Sequence, residues 1–190
     1  MNVEVLRNQR LYDGFLKLDQ VFLRHETPGG EMSPEFMRLN VERGDGAAVL
    51  VVNREKATVV LTRQFRYATW KRGDGGSILE LPAGTVAHGE SPEDVARSEV
   101  LQEVGYAVTD LTPMLTFYAS PGTSTERVFL YLAEVSDALK VSDGGGLQSE
   151  HEYIEVVEMP IDDALKLLDR GLLIDGKTII ALQWFREKYR

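Results

Sequence analysis

The apolar positions of this chain follow more than one rhythm. Residues 1–43 read as extended segments: "GFLKLDQVFLRHE" is β-rich, "TPGG" marks a turn, and "FMRLNVER" returns as a strand. After the break "GDG" come two nearly continuous apolar runs, "AAVLVVN" and "ATVVLTRQFR", joined by the polar "REK". Such runs suit strands buried on both faces, and the short link makes them a hairpin. A glycine cluster, "RGDGGS", then precedes the short strand "ILEL".

Past residue 90 the period lengthens. Ala96, Val100 and Val104 form a stripe widened by Leu101, which predicts a helix over 91–104. Ser91 is placed to cap it and Pro92 to open it; Glu93 and Asp94 suit the positive end of its dipole, and Gly105 stops it. Strands are expected at about 112–120, 126–135 and 153–158, the last two separated by "SDGGGLQSEHE", which reads as flexible. Helices near 161–170 and 176–188 close the chain; the first ends at Gly171 and the second carries Ile179, Ile180, Leu182 and Trp184. The order predicts a mixed α/β (α+β) protein of sheet-and-helix layers rather than alternating βαβ units. Residues 1–43 are expected to form a separate small sheet and residues 44–190 the main domain.

Composition narrows the partners. The 190 residues make one ordinary domain, or one domain with a modest appendage, and a 43% hydrophobic share can fill its core. Against 30 Asp and Glu stand 21 Lys and Arg, a net charge of −9 that argues against nucleic acid and anionic membrane as partners. A small phosphorylated substrate stays open provided a divalent cation reverses the sign locally. The absence of cysteine excludes disulfides, thiolate catalysis and thiolate zinc sites. The opening "MNVEVLRNQR" has no apolar core of signal-peptide type and no apolar run approaches membrane-spanning length, so a cytoplasmic protein is expected.

Candidate chemistry centres on Glu90, Glu99 and Glu103. Glu99 and Glu103 are four apart on the predicted helix, project from one face with Gln102 nearby, and lie beside its apolar stripe. Acidic helix residues are usually a solvated face. Two carboxylates at the margin of a core repel each other, and Mg²⁺ relieves that repulsion because it binds through a few carboxylate oxygens, keeps waters and engages phosphate.

The joint spacing adds to this. Gly84 is followed by Glu90, then Glu99, Val100, Glu103, Gly105 and Tyr106. The arrangement resembles the Nudix box, G-x5-E-x7-R-E-U-x-E-E-x-G-U with U bulky and apolar, the signature of hydrolases acting on a nucleoside diphosphate linked to another moiety. Seven of the nine defined positions match; Ser98 stands where the pattern has Arg, and Gln102 where it has the first Glu of the pair. Arg97 lies one residue early, about 100° around the helix from that position. "RGDGAAVLVV", "LTRQFRYATW", "LELPAG", "YASPGTSTE", "EHEYIEVVEMP" and "DGKTIIALQWF" extend the resemblance to the branch with ADP-ribose and GDP-mannose pyrophosphatases. "RQFRYATW" and "DGKT" lean to the GDP-mannose members and "ELPAG" is common in the ADP-ribose ones, while Met37 and Leu39 depart from the polar contacts of the former.

The resemblance implies a Nudix fold, a mixed sheet sandwiched between helices, with a small N-terminal antiparallel sheet used in homodimerisation. It implies Mg²⁺ held by the backbone carbonyl of Ala83 and the side chains of Glu99 and Glu103, with Mn²⁺ as a substitute. Glu152, with Glu150, would complete the metal site or activate water. Arg66 would grip a phosphate, Glu126 and Lys177 would touch substrate, and Phe15 and Arg38 would reach the substrate of a partner subunit. The reaction implied is hydrolysis of a nucleoside diphosphate sugar to a nucleoside monophosphate and a sugar phosphate. Other nucleoside diphosphate derivatives, or a nucleotide-binding module that has lost catalysis, are the alternatives.

Bland readings stand beside these. Arg63 and Arg66 also fit as strand-end charges, "SEHE" as solvated linker, His151 as incidental, and His25 and His88 as surface residues. Trp70 and Trp184 fit packing better than stacking, and Phe15 fits either.

Overall fold

The computed structural model describes residues 1–189, with only the backbone of Glu150. They form two compact units: Met1–Asp45 with Tyr118–Arg127, and Gly46–Phe117 with the chain from Val128 onward.

In the first unit, β1 (Val3–Asp13), β2 (Lys17–His25) and β3 (Phe36–Glu42) make an antiparallel sheet in that order. The β1–β2 register steps between Val5 and Arg7 and again between Arg10 and Tyr12, two irregularities that add twist. Asp19, buried on β2, is neutralised by Arg10 directly across the pair. Every residue of β1 is exposed, including Val3, Val5, Leu6, Leu11 and Tyr12. The segment containing Pro121 and Gly122 is tied to the end of β3: the Val41 N–H donates to the Thr123 carbonyl at 2.7 Å, and the Thr125 N–H to the Val41 carbonyl at 3.1 Å.

The second unit is built on a larger mixed sheet. Its strands are β4 (Asp45–Asn53), β5 (Thr58–Phe65), β6 (Ser77–Glu80), β7 (Ala83–Val86), β8 (Thr112–Tyr118), β9 (Arg127–Val135) and β10 (Glu155–Pro160). The order is β10-β5-β4-β9-β8, with β6 beside β5 and β7 beside β4. The two apolar runs pair as an antiparallel hairpin, Val51 against Val60, while β4 and β9 run parallel, Ala48 against Leu130.

Alternation along β4 explains why its run is apolar throughout. Ala48, Leu50 and Val52 face one cluster with Ile161, Ala164, Leu182 and Phe185, from α3 (Ile161–Asp169) and α4 (Gly176–Tyr189). Ala47, Val49 and Val51 face another with Ala96, Val100 and Val104. Both faces are therefore covered, and neither set of side chains meets water.

The predicted helix at 91–104 forms in two parts. Residues Pro92–Glu99 are α-helical and are called α2; Val100–Val104 widen to π-helical pitch before Gly105 ends the element. Ser91 occupies the cap position with extended backbone, yet its hydroxyl makes no capping bond. Arg97 instead holds the first turn, reaching Glu93 and Asp94. The elements not anticipated include α1 (Tyr67–Arg72) and β7. The six-residue α1 is shorter than any apolar period can reveal, and β7 has only one buried residue, Val86, to betray it.

Among the described residues no helix is long and apolar enough to cross a membrane. Leu50 is fully buried between sheet and C-terminal helices. Leu50→Ala is expected to cost about 2–5 kcal/mol of unfolding free energy, measured by urea denaturation with an unchanged slope.

Candidate active site

The turn between β6 and β7 and the end of α2 face each other. Val100 and Val104 are wholly buried, which fixes the helix by its apolar stripe and carries Glu103 inward with it, 1% exposed. The Ala83 N–H donates to Glu103 Oε2 at 3.1 Å. Glu99 lies against Gly84: a Cβ added there would come within 1.9 Å of Glu99 Oε1. A side chain in place of Gly84 would push the Glu99 carboxylate aside.

Glu103 is under electrostatic stress. Its carboxyl is pushed up to about 8, first by burial, then by the Glu99 charge, with Glu152 adding to the effect; the Ala83 N–H and Arg66 work in the opposite direction. Those influences place Glu99, Glu103, Glu152 and Arg66 in one field.

Glu152 arrives from a loop that proves ordered rather than flexible. The Gly145 N–H donates to the Glu103 carbonyl at 2.9 Å and the Gly146 N–H to the Gln102 carbonyl at 3.1 Å, so the glycines take up the orphan carbonyls at the helix end. Gly144 sits at φ 72°, where a Cβ would strike the Glu103 carbonyl oxygen at 2.4 Å. The Glu152 carboxylate folds back to accept the Leu147 N–H at 3.0 Å. The expectation for the Glu150 side chain lies outside the described residues.

Across the turn stands an ion-paired array. Glu80, at the end of β6, accepts Arg66 Nε at 2.7 Å, and Lys177 Nζ lies 3.7 Å from its other oxygen. Lys177 also pairs with Asp175 at 2.7 Å. Asp175 caps α4 by accepting the Thr178 N–H and hydroxyl, and Thr178 Oγ1 accepts the Leu81 N–H at 3.0 Å. Glu80, Asp175 and Thr178 were not singled out by sequence; the signal available was an acid inside the apolar strand "ILEL".

Arg66, Ala83, Glu99, Glu103, Glu152 and Lys177 all lie in this unit and are linked by these contacts and influences. Glu90 does not join them; it is exposed and accepts the N–H of Ala87 in its own turn. Phe15, Arg38 and Glu126 belong to the first unit. There Phe15 is exposed, Arg38 lies over the Phe36 ring, and Glu126 pairs with Arg43 at 3.7 Å. His151 and His88 are exposed, His25 is half-buried, and Trp70 is exposed beside Tyr67 instead of packed. Trp184 packs against the core as expected.

The two departures from the box pair with each other, Gln102 Nε2 donating to Ser98 Oγ at 2.8 Å. Arg97 is spent on Glu93, Asp94 and the Thr109 carbonyl and does not stand in for the missing Arg. Among the described residues no three acidic or imidazole groups form a ready-made metal cage. A hard cation that keeps its waters needs no cage, and crowded carboxylate oxygens with a glycine cradle suit one.

The NUDIX domain model matches residues 42–182, and the chain belongs to that family. It is 40% identical to a GDP-mannose pyrophosphatase of Cronobacter sakazakii over 184 residues, covering 96% of this chain and 94% of the relative. It is 35% identical to one from Escherichia coli strain SMS-3-5 over 188 residues, 98% and 96% of the two chains. A Pectobacterium atrosepticum GDP-mannose pyrophosphatase is 44% identical over 143 residues, 75% and 72%. The family is one of hydrolases that generally use a divalent metal.

Without metal, folded Glu103 keeps a proton that the unfolded chain releases near 4.5 and the folded chain near 8. Stability therefore falls as pH rises across that window and levels off above it. Thermal melting in EDTA should show this slope, and Glu103→Gln should flatten its part of it.

Proposed function

We propose that the chain hydrolyses the diphosphate of a nucleoside diphosphate sugar, GDP-mannose first among candidates, to a nucleoside monophosphate and a sugar phosphate. What carries the reading is two charge sets about one turn: buried Glu103 with half-buried Glu99 on the α2 side, and Arg66 with Lys177 on the other. The relatives' names supply the substrate class.

Glu99, Glu103 and the Ala83 carbonyl would hold Mg²⁺, with Mn²⁺ able to replace it. When bound, such an ion neutralises the carboxylates, balances charge on the phosphate oxygens and lowers the pKa of coordinated water. Arg66 and Lys177 would bind the two phosphates, Arg66 through its planar fork and Lys177 as a point charge. Water attacks one phosphorus in line; the bridging P–O bond breaks, and the bridging oxygen leaves with the other phosphate. Glu152 takes the water's proton, with Glu150 as its companion on the same loop. Glu126 would touch substrate too, and Phe15 and Arg38 would reach the substrate of a partner subunit.

The exposed apolar positions of β1 support a homodimer through the first unit's sheet. An open strand with Val3, Val5, Leu6, Leu11 and Tyr12 in water is an edge that a second copy would cover.

Incubation with GDP-mannose and Mg²⁺ should release a nucleoside monophosphate, resolved by anion-exchange chromatography. Glu103→Gln should lower kcat by about 10³-fold or more with its circular dichroism unchanged. Nucleotide binding without release of monophosphate by the wild type would favour a non-catalytic module instead. Val5→Glu with Leu11→Glu should shift the sedimentation coefficient to that of a monomer.

A further inference from the structure

Glu80, the member of the array that touches both Arg66 and Lys177, has no role in the reaction just described. Its side chain is 5% exposed, whereas its partners reach solvent, Arg66 at 42% and Lys177 at 24%. We propose that Glu80 is a positioning residue: held inside the protein, it sets the direction and spacing in which Arg66 and Lys177 meet the diphosphate. The inference rests on the functional reading above and assigns it a further residue.

Geometry carries the argument. Arg66 donates to Glu80 through Nε, and among the described residues its side chain makes no other hydrogen bond. A guanidinium is planar, so tethering Nε orients the group and leaves Nη1 directed away from the tether. Lys177 is held from two sides, by Asp175 at 2.7 Å and by Glu80 at 3.7 Å, which removes much of the freedom of a long side chain. The tether itself is anchored. Glu80 adjoins Leu81, whose N–H is bound by Thr178, and Thr178 is bound by the same Asp175 that holds Lys177. The contacts close into a ring joining the end of β6 to the first turn of α4.

Stability does not account for this arrangement. A buried ion pair often contributes no more than an apolar pair of the same shape, because desolvation offsets the attraction. Charge balance also separates positioning from attraction. Arg66 and Lys177 with Glu80 and Asp175 sum to zero, so Glu80 weakens the raw pull on an anion while aiming the donors. Removing its charge should leave ground-state binding intact or tighter, yet slow the chemistry by misplacing the phosphates, a loss of about 10- to 100-fold.

The test uses the full chain with GDP-mannose and Mg²⁺, comparing wild type, Glu80→Gln, Arg66→Ala and the double variant. Glu80→Gln should lower kcat about 10- to 100-fold with KM not raised, and should change kcat by less than about twofold in the Arg66→Ala background. An unchanged kcat, a raised KM alone, or full additivity with Arg66→Ala would overturn the proposal. Should Glu80→Gln fail to fold, Glu80→Asp keeps the charge one methylene further back and should still lower kcat with KM held. The Arg66 Nε–H resonance provides a readout independent of turnover. It should be slow to exchange in the wild type, shift on adding inorganic pyrophosphate, and be lost in Glu80→Gln; its retention there would sink the idea. A wild type that binds GDP-mannose without cleaving it overturns the functional reading alone, and the resonance then decides for Glu80.

Discussion

A carboxylate that cannot reach water organises this protein. Glu103 is drawn inside because Val100 and Val104, its neighbours on the same turns, are locked into the core beneath the sheet. It cannot swing out without taking apolar side chains with it. Around it the chain provides partial answers to the trapped charge: one peptide N–H from Ala83, the distant field of Arg66, and no side chain at Gly84 to crowd Glu99. None of these cancels the repulsion from Glu99 and Glu152. On the function proposed above a divalent cation would, and the same stress that costs stability in the bare fold would become affinity for the ion.

The charge of the whole molecule and the charge of the site run in opposite senses. A chain with a net charge of −9 offers a diphosphate little welcome at long range. Local donors must supply it, and they are scarce: Arg66 and Lys177 already share Glu80 and Asp175. Pairing a neutral Gln102 with Ser98 fits the same economy, since it leaves a box position uncharged where another acid would have deepened the repulsion.

Much of this was legible in the sequence, and the remainder was not for identifiable reasons. The β4–β5 hairpin and the two C-terminal helices announced themselves through long apolar patterns, which survive any tertiary context. Box spacing alone picked out Glu99 and Glu103, because side chains four apart on a helix share one face. Period says nothing about a turn that widens, so the π-helical segment was invisible. Three glycines in a row read as a flexible loop, yet all three adopt positive φ and let the loop close on the helix end. Glu80 was passed over because one acid in a four-residue strand looks like a solvent-facing position. Its meaning depends on Lys177, almost a hundred residues away. Trp70 misled in the other direction, a large aromatic that stays outside.

Parallel pairing of β4 with β9 has a consequence for how the molecule comes into being. Ala48 finds its partner at Leu130, and the Leu81 N–H is bound by Thr178. Neither union is possible until most of the polypeptide exists, and closing such wide loops is slow work for a folding chain. While it is being made on the ribosome, the nascent protein therefore carries its acidic helix without the walls that give it meaning. The ring around Glu80 closes only after Thr178 and Lys177 have emerged.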